Sequence, residues 1–191
     1  MRVLPAAGHR RMPWKNGGGE TVEIARHPEG AGLSAFDWRV SMATVAADGP
    51  FSEFPGVERT LSILSGAGLD LSVGGIGERR LGPADPPFPF PADAPAFARL
   101  VDGPVTDLNV MTRRGACAHR VRRLHVAGVE TLATASVTTV LVCRAGPCLI
   151  DAIGAGLTLE ALDAVWLDAP ARLTLEAADA DLFVIEIAMT A

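Results

Sequence analysis

The stretch Pro13-Trp14-Lys15-Asn16-Gly17-Gly18-Gly19 is the most distinctive in the chain. It sets one cation, one amide and one indole beside three consecutive glycines. Glycine lets a backbone take positive φ and approach a ligand closely. Successive N–H groups in such a turn can form a nest for an anion. Trp14, Lys15, Asn16 and the backbone at Gly17 are therefore candidates for holding a carboxylate. Composition adds a hint: 16 Arg stand against a single Lys, Lys15, and the only side-chain amides are Asn16 and Asn109. An ammonium is a compact point charge on a flexible stem, whereas a guanidinium is a rigid planar fork. A Walker-type phosphate loop is excluded, because Lys15 precedes the glycines and no G-K-[ST] follows. No βαβ pattern surrounds the motif, so a dinucleotide fingerprint fits poorly too. The structural alternative is a tight turn that opens the first strand, with Trp14 in the core.

The elements that would position these residues read as strands. Leu69, Leu71 and Val73 alternate with Asp70 and Ser72, and Trp38, Val40 and Met42 alternate with Arg39 and Ser41. Period-two patterns of this kind fit strands with two different faces. Val137–Val142 and Leu182–Ile185 are continuously apolar and β-branched, as expected of strands buried on both sides. No segment of a dozen residues has helical periodicity; a short helical turn is allowed near the N-terminus or between Pro83 and Pro95. The 20 Gly and 14 Pro punctuate many short elements and disfavour a helical bundle.

A weak internal repeat is visible. Leu61–Asp70 and Val140–Leu149 each run from a hydrophobic strand through a Gly-containing turn into a second strand. Each copy closes on a strand that opens Asp-Leu, at Asp107 and at Asp181. Two copies of a many-stranded unit predict a pair of double-sheet rolls, which limit exposed strand edges.

The chain carries 49% hydrophobic residues, enough for a sizeable core, and a net charge of −5, which argues against a nucleic-acid partner. The basic run from Arg113-Arg114 through Arg120, Arg122, Arg123 and His125 reads as a solvated connector between two halves, with a regulatory contact to nucleic acid as the alternative. The N-terminus lacks a hydrophobic signal core, and no apolar run of membrane length occurs. Cys117, Cys143 and Cys148 match no zinc or redox spacing and read as buried hydrophobes. A cytoplasmic protein without a membrane partner is expected.

Several of these segments resemble the HutD/Ves family: the P-W-K-N-G-G-G stretch with Thr21 and Glu23-Ile24, Phe36–Ser41, Asp48–Arg59, and Gly103–Met111. Leu162–Pro170 is similar to a turn-and-strand motif of cupins, with Leu-Asp where Gly-Asp is usual. The resemblance implies an all-β fold of two tandem cupin-type jelly-roll barrels, a bicupin, in one compact unit. It also implies a tie to bacterial histidine utilisation, with a regulatory role. The expected lobes are residues 1–115, which hold the motif-rich pocket, and residues 116–191, mainly structural.

Most cupin enzymes gather two His, a Glu and a third His around a metal. Here the four His form no H-x-H pair with a following Glu, and position 59 offers Arg. Metal ligands must converge on one ion, and nothing in the spacing predicts that, so no metal and no cofactor are expected. Fixed cations in the same barrel mouth would make an anion site instead. Arg59 can hold a carboxylate through two parallel hydrogen bonds. Asn16 and Asn109 each offer a donor and an acceptor. Trp14, Phe51 and Phe54 supply an apolar wall, and Met111 shares a strand face with Asp107 and Asn109. The plainer reading leaves Arg59 paired with Glu58 or Glu53 at the surface and Asn109 bonded to buried backbone.

The expected function is binding of a small carboxylate, such as urocanate or an N-formylated glutamate, without catalysis. Two alternatives stay open. One is a metal-free isomerase or hydrolase using Lys15, Glu20, Glu23 or Asp107. The other is a ligand-free interaction module, with a homodimer through the second lobe as one form of it.

Overall fold

The structure is a computed structural model, and it describes residues 1–14, 17–152 and 154–190. Among them no α-helix occurs, and no helix is long and apolar enough to cross a membrane. The one helical turn is a 3-10 turn at Ala6–Gly8, near the N-terminus, while the Pro-rich stretch contributes a strand.

Strand β1 is Arg2–Leu4, β2 is Arg10–Pro13, β3 is Gly19–His27 and β4 is Trp38–Val45. Next come β5 (Gly49–Pro50), β6 (Val57–Ser65), β7 (Leu69–Val73) and β8 (Gly77–Leu81). Then follow β9 (Phe88–Pro91), β10 (Ala96–Leu100), β11 (Val105–Arg113) and the long β12 (Cys117–Thr134). The last five are β13 (Thr138–Ala145), β14 (Cys148–Ala152), β15 (Ala155–Leu159), β16 (Ala164–Leu167) and β17 (Ala171–Met189).

The chain forms two compact units, Arg10–Ala118 with Thr190, and Met1–His9 with His119–Met189. The sequence reading placed residues 1–115 together, but the first nine residues belong with the C-terminal unit. The reason is strand pairing: β1 adds to β16 with Arg2 opposite Trp166. The Ala6 N–H also donates to Asp163 at 2.7 Å, and the Arg2 guanidinium lies over the Trp166 ring.

In the unit of Arg10–Ala118, a six-stranded sheet runs β2-β3-β4-β11-β6-β9 and a four-stranded sheet runs β5-β10-β7-β8. Their inner faces meet in a core. Leu61, Ile63 and Phe90 come from the first sheet, and Leu69, Leu71, Val73, Ala96 and Ala98 from the second. The alternation of β7 reports this directly, with Leu69, Leu71 and Val73 buried while Ser72 is exposed. Strand β4 behaves differently: Arg39 and Ser41, the polar members of its alternation, are buried as well.

In the other unit the sheet order is β1-β16-β13-β17-β14-β15, with β12 also on β17. Strand β17 pairs with β14 through Thr174–Glu176 and with β13 through Asp181–Ile187, so one long strand carries both halves of a curled sheet. The interior is largely apolar, with Leu141, Cys143, Ile150, Leu173, Leu182 and Val184 among its members and the Thr139 hydroxyl buried beside them. Both units are β-rolls of the cupin type, the all-β bicupin architecture expected from the sequence.

The repeat is real, but its register is one residue off the sequence reading. Both units break register at a bulge, between Thr106 and Asp107 opposite β6 and between Asp181 and Leu182 opposite β13. Matching the bulges makes Thr106 the counterpart of Asp181, and Asp107 the counterpart of Leu182. The shared Asp-Leu spelling misled, because a one-residue slip moves every side chain to the other face. The turns before the bulges agree: a Cβ at Gly66 would meet Pro104 O at 2.5 Å, and one at Gly146 would meet Asp179 O at 2.1 Å.

The basic run is committed to structure over much of its length. Arg113 donates to the carbonyls of Phe36 and Ser34 at 3.1 and 2.8 Å. Arg114 pairs with Glu58 at 2.6 Å and with Asp93. Arg123 pairs with Asp181 at 2.6 Å.

Candidate functional site

Strand register assembles a polar patch on the inner face of the six-stranded sheet. Met111 on β11 lies opposite Arg39 on β4 and Arg59 on β6. One step along, Asn109 lies opposite Ser41 and Leu61; the next, Asp107 lies opposite Ala43 and Ile63. Phe90 on β9 faces Arg59, and Glu23 on β3 faces Ser41. Since Leu61, Ile63 and Phe90 belong to the core between the sheets, the polar members of these rows point inward too.

Arg59 is the centre of the patch. It is 2% exposed. Its guanidinium carbon sits 5.3 Å from the ring centres of Phe51 and Phe54 and 5.7 Å from that of Phe90. Cation–π contacts of this kind stabilise a desolvated guanidinium. One Nη donates to the Ser52 carbonyl at 3.1 Å, and the buried Nε–H has no acceptor. Among the described residues no carboxylate forms an ion pair with it. Glu58, the surface partner that sequence allows, is taken by Arg114. Burial pulls the Arg59 pKa down to about 10, against the opposing charge of Asp107.

Asp107 is fully buried. The Asn109 amide donates to its Oδ1, while Asp107 Oδ2 and Asn109 Oδ1 have no partner. Burial pushes the Asp107 carboxyl up to about 7, outweighing the Arg59 charge, the Asn109 hydrogen bond and a contact from the Ala43 backbone. Arg39, 5% exposed, is already satisfied: its Nε donates to Glu23 at 2.8 Å, and Arg26 joins the same carboxylate at 3.4 Å. Glu23 thus neutralises one of its two arginines, and Arg59 and Asp107 are left without a close ionic partner.

Around the patch stand most of the other residues singled out from sequence. Met111 is buried with Phe36, Val57 and Ala92, and Phe54 packs against that cluster. Phe51 and Trp14 pack half-buried on the core between the sheets. The Trp14 indole donates to Thr21 at 2.8 Å, and its backbone N–H to Gly19 at 2.9 Å. The Gly17 N–H donates to the Trp14 carbonyl at 3.1 Å, so it serves the turn rather than an anion nest. Gly19 is required by close approach: a Cβ there would lie 2.1 Å from Thr44 O. Lys15 and Asn16 lie outside the described residues.

Sequence reasoning missed Arg39 and Phe90, and gave Asp107 and Glu23 only as acid–base alternatives. The available signal was parity: Arg39 and Ser41 alternate with apolar residues, as Asp107 and Asn109 do. A period of two says that the faces differ and is silent on which one is inside.

Among the described residues no group of three or more His, Cys, Asp and Glu gathers where one ion could sit. His9 bonds the Leu4 carbonyl at 3.1 Å, and His27 stacks on Trp38. In the C-terminal unit a shallow depression lined by Gly128, Pro147, Leu149, Thr158 and Glu176 marks the surface.

Comparison with known proteins places this geometry in a lineage. The HutD family model matches residues 6–184. An uncharacterised 21.2 kDa protein in the hutC 3' region of Pseudomonas putida is 40% identical over 111 residues, 58% of this chain and 57% of the relative. Protein Ves of Citrobacter koseri is 41% identical over 117 residues, 59% of this chain and 60% of the relative. The chain thus spans about three fifths of the length of these curated relatives. Among solved structures, the conserved protein of unknown function PA5104 from Pseudomonas aeruginosa PAO1 superposes with a TM-score of 0.90 at 33% identity, over 98% of both chains. HutD from Pseudomonas fluorescens SBW25, in a formate condition, gives 0.84 at 31%, over 100% of this chain and 99% of that one. Oxalate decarboxylase OxdC of Bacillus subtilis, an S161A mutant, shares only the fold, at 8% identity and a TM-score of 0.73 over 97% of this chain and 77% of that one. With a matching model over nearly its whole length and full-length structural counterparts, the chain belongs to the HutD family.

Proposed function

We propose that the Arg10–Ala118 unit binds a small carboxylate at Arg59 without a metal ion. We further propose that the protein uses this binding to regulate histidine utilisation in the cytoplasm. One observation carries the reading: a guanidinium buried in a cage of phenylalanines, with an Nε–H that meets no acceptor and no carboxylate paired to it. A buried charge is stable only when paired and hydrogen-bonded. A carboxylate ligand supplies both, by accepting two parallel hydrogen bonds from the fork. Phe51, Phe54 and Met111 offer it an apolar wall, and Asn109 Oδ1 an acceptor for a ligand N–H. The pathway link rests on family membership and on the hutC-region relative. Three buried free thiols suit a reducing compartment.

The test is thermal stability against small carboxylates, including urocanate and N-formylglutamate, with and without chelator. A ligand present at ~100 times its dissociation constant adds ~2.7 kcal/mol to the native state. A selective shift that chelator leaves untouched and Arg59→Ala abolishes is the expected result. Equal affinity in Arg59→Ala would remove the site.

A further inference from the structure

Two buried groups of opposite charge share one interior without joining. Arg59 and Asp107 sit two rows apart on the inner face, and no ion pair links them. Asp107 has one oxygen held by the Asn109 amide and the other, Oδ2, without any partner, although the residue is 0% exposed. An ionised carboxylate in such a place ordinarily gathers donors. Here the Asn109 amide and the Ala43 backbone are the donors beside it, and the Ile63 and Ala43 side chains flank the rest. Asp107 therefore behaves as an internal counter-charge to Arg59 that is poorly solvated when ionised.

Resting on the carboxylate reading above, we propose that an anion bound at Arg59 takes up a proton at Asp107, so that the site binds its ligand as an anion plus a proton. The physical reason is replacement. A ligand carboxylate beside the guanidinium takes over the counter-charge, and a second negative charge in the same dry interior becomes unfavourable. The proton comes from solvent and sits on Asp107, and the Asn109 amide remains bonded to the carboxyl. The titrating position of Asp107, about 7, puts the exchange near neutrality.

The other charges facing this interior are spoken for. On β4, Arg39 is tied to Glu23 of β3, and Arg26 of β3 joins the same carboxylate. On β6 only Arg59 faces in, and the facing residues of β9 and β7 are Phe88, Phe90, Leu69 and Leu71. Among the described residues that leaves Asp107 as the group whose protonation a bound anion would change.

Formate is the probe, since it stays ionised across the range and is the smallest carboxylate a guanidinium can grip. Its affinity is read by calorimetry at pH 6 and pH 8 in two buffers of different ionisation enthalpy. Linkage to one group titrating near 7 predicts about tenfold weaker binding at pH 8, with about one proton taken up per formate bound there. Asp107→Asn, which keeps the shape without the charge, is expected to show neither the proton uptake nor the pH dependence. Binding without proton uptake in the wild type, or pH dependence that survives in Asp107→Asn, overturns the linkage and leaves the carboxylate site standing. No saturable binding at either pH overturns the site, and the linkage with it.

Discussion

The β6–β11 pair of one unit and the β13–β17 pair of the other are the same construction with different interiors. Matched through their bulges, Leu61 answers to Leu141, and Asn109 to Val184. Asp107 answers to Leu182, and Arg59 to Thr139. The C-terminal copy fills its inner face with Leu141, Leu182 and Val184. The first copy puts a guanidinium, a carboxylate and an amide in the matching places, each with an atom that no partner satisfies. Leaving a buried polar group unsatisfied costs about 1–3 kcal/mol. At the matching positions the C-terminal copy buries no charge, only the Thr139 hydroxyl, which also has no partner, so the roll folds without a buried guanidinium or carboxylate there. A guanidinium and a carboxylate at these positions in one copy alone point to work other than holding the strands together.

The comparison breaks most visibly if the first copy's carboxylate is moved into the second. Leu182→Asp would bury a charge among apolar side chains such as Leu141 and Val184, and destabilisation of about 3–5 kcal/mol is expected by chemical denaturation. A smaller loss would mean that the C-terminal interior is wetter than its packing shows. The reverse exchange, Arg59→Met/Asp107→Leu/Asn109→Leu, removes these three polar groups from the first roll and leaves the Glu23–Arg39 pair in place. A stability gain of about 1–4 kcal/mol is expected, with loss of carboxylate binding. The gain should grow with pH. The folded-state pKa of Asp107 lies above its unfolded value, so its contribution is fully present below about pH 4 and is lost as pH rises through about 7. The exchanged variant lacks that slope, and a pH series of unfolding midpoints measures the difference. The smallest effect concerns Leu162, which holds a left-handed φ of 69° in the turn where cupins usually place glycine. Leu162→Gly is expected to stabilise by about 1 kcal/mol, because the left-handed conformation costs a side-chain-bearing residue about that much.

Much of the candidate site was legible as residue types, and little of it as geometry. Arg59, Asn109, Met111, Phe51 and Phe54 do come together around one interior, and Trp14 packs on the same core. Arg39 looked like the outward half of an alternating strand and proved 5% exposed. Asp181 looked like the twin of Asp107 and is instead the partner of Arg123 and Arg144.

By itself the amino-acid sequence determined the strands, the turns and the twofold repeat. These follow from local quantities: the period-two alternation, the glycines that turn chains, and continuous apolar runs such as Val140-Leu141-Val142. It also determined the family, through motifs spread along the chain. Only the tertiary structure decided which face of each strand looks inward, which residue answers which across the bulges, and that the N-terminal strand pairs with the C-terminal unit. Those outcomes depend on contacts between segments far apart in the chain. A bulge adds one residue to one strand, exchanges the two faces beyond it, and leaves no mark in a periodic pattern.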